Sequence, residues 1–399
     1  MASVVKQRRT LLISPSPIAD DPRVLAHLDV LSSCTEVVTC GYGRKPQLAK
    51  LHIEVPSNLS YVPIRKFSRI RYVPKNPTDV LKLSLRCGDP LRRITEFSRF
   101  VIGELDHLKF DLVCANDVYS IAPGFQVARK SSCPIWVDMH EYAPLESEDD
   151  WKWRLILQPY VKKIISTSLP EANAVSSVGV AICERYEREL GRSVELIRNT
   201  SPYRKTEVSK RRVPEKHGQF RLVHVGAALP GRKLEDMIAA VKLLENVTLD
   251  LLLVSTNDAY YRWLKVLACS TTNVRIVPPV RLEEVVQYLS SYDAGVIMIP
   301  PTNYNNANGL PNKLFQYIQA RIPVITGPTP EIATLVRRYR NGWVSSSFDV
   351  PALTLVVLDA VKNRDHVSVN DLDRVASEVS REVDDEVRFR LIQQLLEPS

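Results

Sequence analysis

Two apolar runs with one short amphipathic stretch between them constrain this chain more than any other feature. Asp293-Ala-Gly-Val-Ile-Met-Ile-Pro300 and Pro323-Val-Ile-Thr-Gly-Pro328 are strand-length segments without the polar alternation of a half-exposed strand. Runs of that kind belong to strands buried on both faces, as in a parallel sheet. Between them Leu314, Tyr317 and Ile318 stand at i, i+3 and i+4, one face of a helix. Pro311 suits the first helical position, where its missing N–H would find no intrahelical partner. The Asn-rich stretch from Asn303 to Gly309 is therefore read as a loop at the carboxyl end of a strand, feeding a helix N-terminus. Open α/β sheets bind phosphate-bearing ligands at such places.

The same alternation runs through the whole chain. In the first half the expected strands are Thr10–Ser14, Glu36–Gly41, Phe110–Asp117, Pro134–Asp138, Ala174–Ser177 and Val194–Arg198, with helices over Arg23–Ser33, Arg92–Lys109, Ile121–Ser131 and Val180–Leu190. The stretch from Ser201 to Gln219 is basic, proline-bearing and without an apolar run, which marks a boundary. Alternation then restarts with strands Arg221–Gly226, Val247–Val254, Val274–Val277, Ala294–Ile299 and Pro323–Thr326. The helices between and after them are Leu234–Leu244, Asp258–Ala268, Leu282–Tyr292 and Glu331–Arg340. Repeated strand–helix units imply parallel sheets with right-handed crossovers. The expected organisation is a domain over residues 1–200, a linker over 201–218, a second domain over 219–365, and closing helices over 366–399, with Glu382–Leu396 amphipathic.

With 399 residues, 45% of them hydrophobic, the chain can bury two cores. No apolar run reaches the roughly 18 residues of a membrane span, and the N-terminus does not read as a signal peptide. Seven cysteines, scattered and never in a CxxC pair, point to a reducing cytoplasm without a disulfide framework or structural zinc. Met139-His140-Glu141 has no partner histidine at helical spacing, so no metal is expected. A dinucleotide-dependent oxidoreductase would need G-x-G-x-x-G after the first strand, and Ser14-Pro-Ser-Pro-Ile-Ala19 lacks it. The net charge is +8; Arg65–Arg99 holds ten Lys/Arg against Asp79, Asp89 and Glu96, so it alone contributes +7. That stretch is either a solvated face or a docking patch for an anionic acceptor or membrane lipid. With no motif beyond charge, nucleic acid is not expected.

Pro311-Asn-Lys-Leu-Phe-Gln-Tyr317, followed by Ala320-Arg-Ile-Pro-Val-Ile325, resembles the nucleotide-sugar-binding segment of retaining glycosyltransferases of the GT4 type. That resemblance implies the GT-B fold: α/β, with two Rossmann-like domains facing across a cleft, the last helix crossing back to the first domain. It implies transfer of a sugar from a nucleoside diphosphate sugar with retention at the anomeric carbon, in glycoconjugate or polysaccharide synthesis. The leaving phosphate itself would help deprotonate the acceptor, and no cofactor is implied beyond the donor, with a uridine diphosphate sugar preferred. On the donor side the resemblance points to Gly226, Arg232, Asn308, Gly309, Leu310, Lys313, Leu314 and Gln316. Arg232 follows a Pro-Gly turn and, with Lys313, would meet the departing diphosphate. His140 would touch the donor sugar, and Pro22, Arg23, Asp117 and Glu141 would lie on the acceptor side. The acceptor would be lipid-linked or anionic, with peripheral association at the inner membrane face through Arg65–Arg99.

The sequence departs from the family in one respect. Two glutamates are typical of the segment, and their positions are held here by Asn308 and Gln316, although Gly309 is kept. A glutamine has one acceptor oxygen where a carboxylate offers two with charge assistance. Two readings therefore stand: a working transferase with a weakened ribose clamp, and a homologue that has become a binding subunit of a glycosylating complex.

Overall fold

The computed structural model describes residues 8–59, 64–65, 73–74, 95–204 and 218–397. The chain divides into two compact units, Met1–Arg198 with Asp384–Ser399, and Asn199–Val383. Each is a parallel sheet wrapped by helices.

In the first unit the elements follow as β1 (Arg9–Pro17), α1 (Pro22–Cys34), β2 (Glu36–Tyr42), β3 (Leu51–Glu54), β4 (Ile64–Arg65), β5 (Val73–Pro74), α2 (Glu96–Glu104), β6 (Leu112–Asn116), α3 (Val118–Ser131) and β7 (Ile135–Met139). Then come α4 (Trp151–Ile156), α5 (Gln158–Ser168), β8 (Ala174–Ser177), α6 (Val180–Leu190) and β9 (Glu195–Leu196). Seven of these strands form one sheet in the order β3-β2-β1-β6-β7-β8-β9, every pair parallel. The central strands are buried throughout, which is why they read as mostly apolar runs without polar alternation. Asp21 starts α1 by accepting from the amides of Arg23 and Val24, with Pro22 in the first turn. The helix expected from Arg92 to Lys109 is shorter, Glu96–Glu104, because the Thr95 side chain caps it by accepting from Ser98 N. The helix pair α4–α5 has no counterpart in the sequence reading; Pro159 restarts the chain one residue into α5 and interrupts the periodicity.

The second unit runs β10 (Phe220–Ala227), α7 (Leu234–Lys242), β11 (Val247–Val254), α8 (Asp258–Cys269), β12 (Val274–Val277), α9 (Val285–Leu289), β13 (Ala294–Ile297), α10 (Tyr304–Asn308) and α11 (Asn312–Gln319). It continues with β14 (Val324–Thr326), α12 (Pro330–Tyr339), β15 (Gly342–Val344), α13 (Val350–Lys362) and α14 (Val369–Glu378). A final helix, α15 (Arg381–Leu396), begins in this unit, and its residues from Asp384 onward belong to the first. The sheet order is β12-β11-β10-β13-β14-β15, again all parallel. Chain order reverses between β10 and β13, and the crevice at the carboxyl ends of such a strand pair is the ligand position in open α/β sheets. The stretch read as a loop before Gly309 holds the one-turn helix α10, capped by the Asn303 side chain on Asn306 N at 2.7 Å.

The expected linker splits. Asn199–Arg204 group with the second unit, where Arg321 donates to Arg204 O at 2.9 Å and lies over the Tyr203 ring. Residues 205–217 lie outside the described residues, as does most of the basic stretch Arg65–Arg99. No helix among the described residues is long and apolar enough to cross a membrane.

Candidate functional site

The site in the second unit is built around how α11 is fastened to β10. Tyr317 is fully buried; its hydroxyl accepts from Val225 N at 3.1 Å and donates to Val223 O at 3.3 Å. Leu314, Phe315 and Ile318 fill the core below the helix. This fixes the N-terminus of α11 at the carboxyl end of β10. Its first turn has no side-chain cap, since Pro311 occupies the cap position. Backbone N–H groups there, together with the helix dipole, suit an anion.

Lys313 lies across Gly226. A Cβ at Gly226 would come within 2.8 Å of the lysine Nζ, and the backbone there has φ +152°, so glycine leaves the room the ammonium occupies. From β10 the buried His224 turns its Nδ1 to Val296 O at 2.9 Å and its Nε2 to Lys313 Nζ at 3.1 Å. The carbonyl can only accept, so Nδ1 carries the proton and Nε2 is an acceptor for the ammonium. Burial, with Lys313 beside it, holds His224 well below its ordinary pKa, so the imidazole is neutral. Burial and then the Arg232 charge push Lys313 down to about 7. Arg232 stands in the turn after β10, where its amide donates to Leu229 O at 3.3 Å and Gly231 supplies the φ of +84°. The neighbouring Lys233 is engaged elsewhere, its ammonium 2.8 Å from Asp236.

Of the remaining donor-side residues, Leu310 and Leu314 pack in the α11 core. Gly309 follows α10 so closely that a Cβ would meet Asn305 O at 2.7 Å. Asn308 is half-buried and turns its Nδ2 back to Tyr304 O at 2.8 Å. Gln316 is half-buried, and its side-chain amide forms no hydrogen bond among the described residues. The donor-side set of the sequence reading thus collects at one end of one sheet.

The candidates of the first unit separate into two groups. At the ends of β6 and β7, Asp117 adopts φ 71°, ψ 157°, a conformation that ordinary side chains avoid. Its carboxylate accepts from Val118 N at 2.6 Å and its own amide donates to Asp138 O. Burial raises its pKa, and the nearby His140 opposes that rise. His140 and Glu141 are exposed at the same strand end.

Arg23 stands apart from them. It is 3% exposed, and its Nε and Nη2 clamp Asp138 at 2.6 and 2.5 Å while Nη1 donates to Ile197 O. Asp138, the last residue of the strand expected over Pro134–Asp138, is buried at 1% and also accepts from Ser176 Oγ and from His27 Nε2 at 3.0 Å. The opposite ring nitrogen of His27, Nδ1, accepts from Arg388 Nε on α15 at 3.2 Å. A charge this deep is stable only when paired, and here pairing engages every guanidinium nitrogen of Arg23. Its place is structural, and Pro22 beside it serves as the first residue of α1.

Sequence reasoning missed His224, although a histidine inside the apolar run Leu222-Val-His-Val-Gly226 was the signal available. No local pattern could have joined His27 to Arg388, which are 361 positions apart. Among the described residues no group of His, Cys, Asp and Glu could hold a metal ion.

Residues 219–363 match the family of glycosyl transferases, group 1. The second domain carries that family's pattern. Over nearly its whole length the chain is similar in structure to sucrose-phosphate synthase from Thermosynechococcus elongatus, with TM-score 0.69, 14% identity, and 98% of this chain and 99% of that one covered. It is similar to HepE of Anabaena in complex with UDP-glucose, with TM-score 0.67, 12% identity and coverage of 97% and 99%. A glycosyltransferase from Rickettsia africae aligns with TM-score 0.65 and 12% identity over 99% and 100% of the two chains. No curated protein matches in sequence. Two parallel-sheet Rossmann-like domains of the GT-B fold are thus established for the chain.

Proposed function

We propose that the protein is a glycosyltransferase that moves a sugar from a nucleoside diphosphate sugar to an acceptor, with retention of anomeric configuration. The observation that carries this reading is Lys313 lying across Gly226 in the uncapped first turn of α11, with the Arg232 charge close enough to act on it. In the reaction, the bond from the anomeric carbon to the diphosphate oxygen breaks and negative charge grows on the leaving group. Cations and N–H donors already in place stabilise that charge without reorganising. The acceptor hydroxyl oxygen bonds the same face of the anomeric carbon, and its proton passes to the departing phosphate oxygen. We assign the acceptor side to Asp117 and Glu141 of the first unit and the contact with the donor sugar to His140.

A uridine diphosphate sugar is the donor we favour, since HepE, of similar fold, was solved with UDP-glucose. A GT4-type enzyme of glycoconjugate or polysaccharide synthesis, cytoplasmic and peripheral at the inner membrane face, is the setting consistent with the basic stretch Arg65–Arg99. The amides Asn308 and Gln316 favour a second reading, a binding subunit that has kept the fold. Calorimetric titration with UDP-, GDP-, TDP- and ADP-sugars separates the two, because an active donor site binds at least one of them and a retired one binds none. With a turned-over donor, the anomeric coupling of the product must match that of the donor; an inverted product refutes the retaining mechanism.

A further inference from the structure

A histidine in the middle of a buried strand needs a reason, because an apolar side chain would pack there without any polar group to satisfy. His224 is 1% exposed, yet it sits two residues before the glycine over which Lys313 lies. Its Nδ1–H is committed to Val296 O, which fixes the ring and leaves Nε2 as an acceptor aimed at the carboxyl end of β10. Lys313 reaches that nitrogen from the first turn of α11. A lysine at such a position is repelled by the helix dipole and by Arg232, and on its own would extend into water. Among the described residues the imidazole supplies the directional contact that draws it inward.

We infer that His224 is a positioning residue of the anion site: it pins the Lys313 ammonium across Gly226, where a donor's diphosphate would be received. This rests on the donor-binding reading given above. It also predicts how the site responds to pH. The titratable and charged groups facing Lys313 are His224 on β10 and Arg232 in the turn that follows it, and among the described residues no carboxylate is paired with the ammonium. An anion is thus the missing counter-charge, and binding it draws a proton onto Lys313 wherever the free amine is neutral. By linkage, donor affinity is highest at mildly acid pH and falls about tenfold per pH unit once the pH exceeds the Lys313 pKa.

Two readouts test this, one of them independent of any nucleotide. Lys313 reactivity toward acetic anhydride, followed by peptide mass spectrometry from about pH 6 to about pH 10, reports its protonation and exposure directly. In the wild type the amine should titrate far below an ordinary lysine, whose pKa is about 10.4. In His224→Phe, which keeps the bulk and removes the acceptor, Lys313 should swing out and titrate as an ordinary lysine. In His224→Gln, whose amide oxygen can take the place of Nε2, the wild-type profile should return. The second readout is the dissociation constant of UDP-glucose at about pH 6 and about pH 8.5, which should rise strongly with pH in the wild type and in His224→Gln. In His224→Phe it should be weaker by about tenfold at the lower pH and nearly flat. Ordinary titration of Lys313 in the wild type overturns the inference without any variant having to fold. A phenylalanine variant with the wild-type labelling profile overturns it as well. If the labelling follows expectation but the wild type binds no UDP-glucose at either pH, the His224–Lys313 pairing stands and the UDP-glucose donor is refuted.

Discussion

The ring of Tyr317 occupies the volume that any side chain at Gly295 would need: a Cβ there would lie 2.5 Å from the ring's Cγ, Cδ2 and Cε2. Gly295 is on β13 and Tyr317 on α11, so the absence of one side chain lets the helix seat against the switch point of the sheet. The tyrosine hydroxyl then reaches the β10 backbone. A ring held on both sides cannot yield cheaply. Gly295→Ala should therefore cost about 1–3 kcal/mol, the range for overpacking a core, and should lower donor affinity by shifting α11. Urea unfolding checks the first outcome. Unchanged stability would mean that the helix repacks freely.

His27 makes the first unit sensitive to acid. Burial outweighs the attraction of Asp138 and lowers its pKa from 6.5 to about 4. The unfolded chain therefore binds a proton near pH 6.5 that the folded chain refuses until about pH 4. Stability from this group is fully present above 6.5 and is lost as pH falls through that window, amounting to about 3 kcal/mol. Asp138 adds a loss of the same sign at lower pH: Arg23 and His27 outweigh its burial and hold it well below the carboxylate range. His224, lowered in the second unit, also acts in the same direction. Urea midpoints at about pH 7.5 and about pH 5, compared between wild type and His27→Gln, isolate the His27 contribution. An equal pH slope in the two proteins would refute it.

Arg232 is half-buried beside Lys313 and places a full charge at the helix N-terminus. Arg232→Ala should weaken donor binding by roughly 1.5–3 kcal/mol, the worth of a charge-assisted hydrogen bond, without unfolding the free protein. A second effect follows from the same charge: without it, Lys313 should titrate higher. Calorimetry and amine labelling read these separately.

Gln316 offers one amide oxygen and no charge. Gln316→Glu should tighten donor binding about fivefold, because a carboxylate accepts two ribose hydroxyls with charge assistance, and Gln316→Ala should loosen it. Titration of the three proteins with one nucleotide sugar decides the matter. Equal affinities would place the ribose away from this side chain.

The sequence by itself determined the sheets. Unbroken apolar runs such as residues 112–115 and Ala294–Ile297 read as strands covered on both faces, and helical spacing between strands dictates parallel crossovers. It also placed Gly226, Gly309 and Lys313 at strand ends and helix starts, because turn chemistry is local. What only the tertiary structure decided is the fate of each charged or polar side chain. Arg23, Asp138 and Arg388 are buried partners, since the hydrogen bonds from Arg23 to Asp138 and from Arg388 to His27 join residues more than a hundred positions apart. Glu382–Leu396 reads as amphipathic, yet the buried face of α15 includes Asp384 and Arg388 beside Leu391 and Ile392, and apolar spacing does not announce those two charges. His224 reads as one more strand residue, and only the fold sets Lys313 beside it. Backbone patterns are written by near neighbours, whereas the protonation and reach of a side chain depend on whatever the fold brings against it.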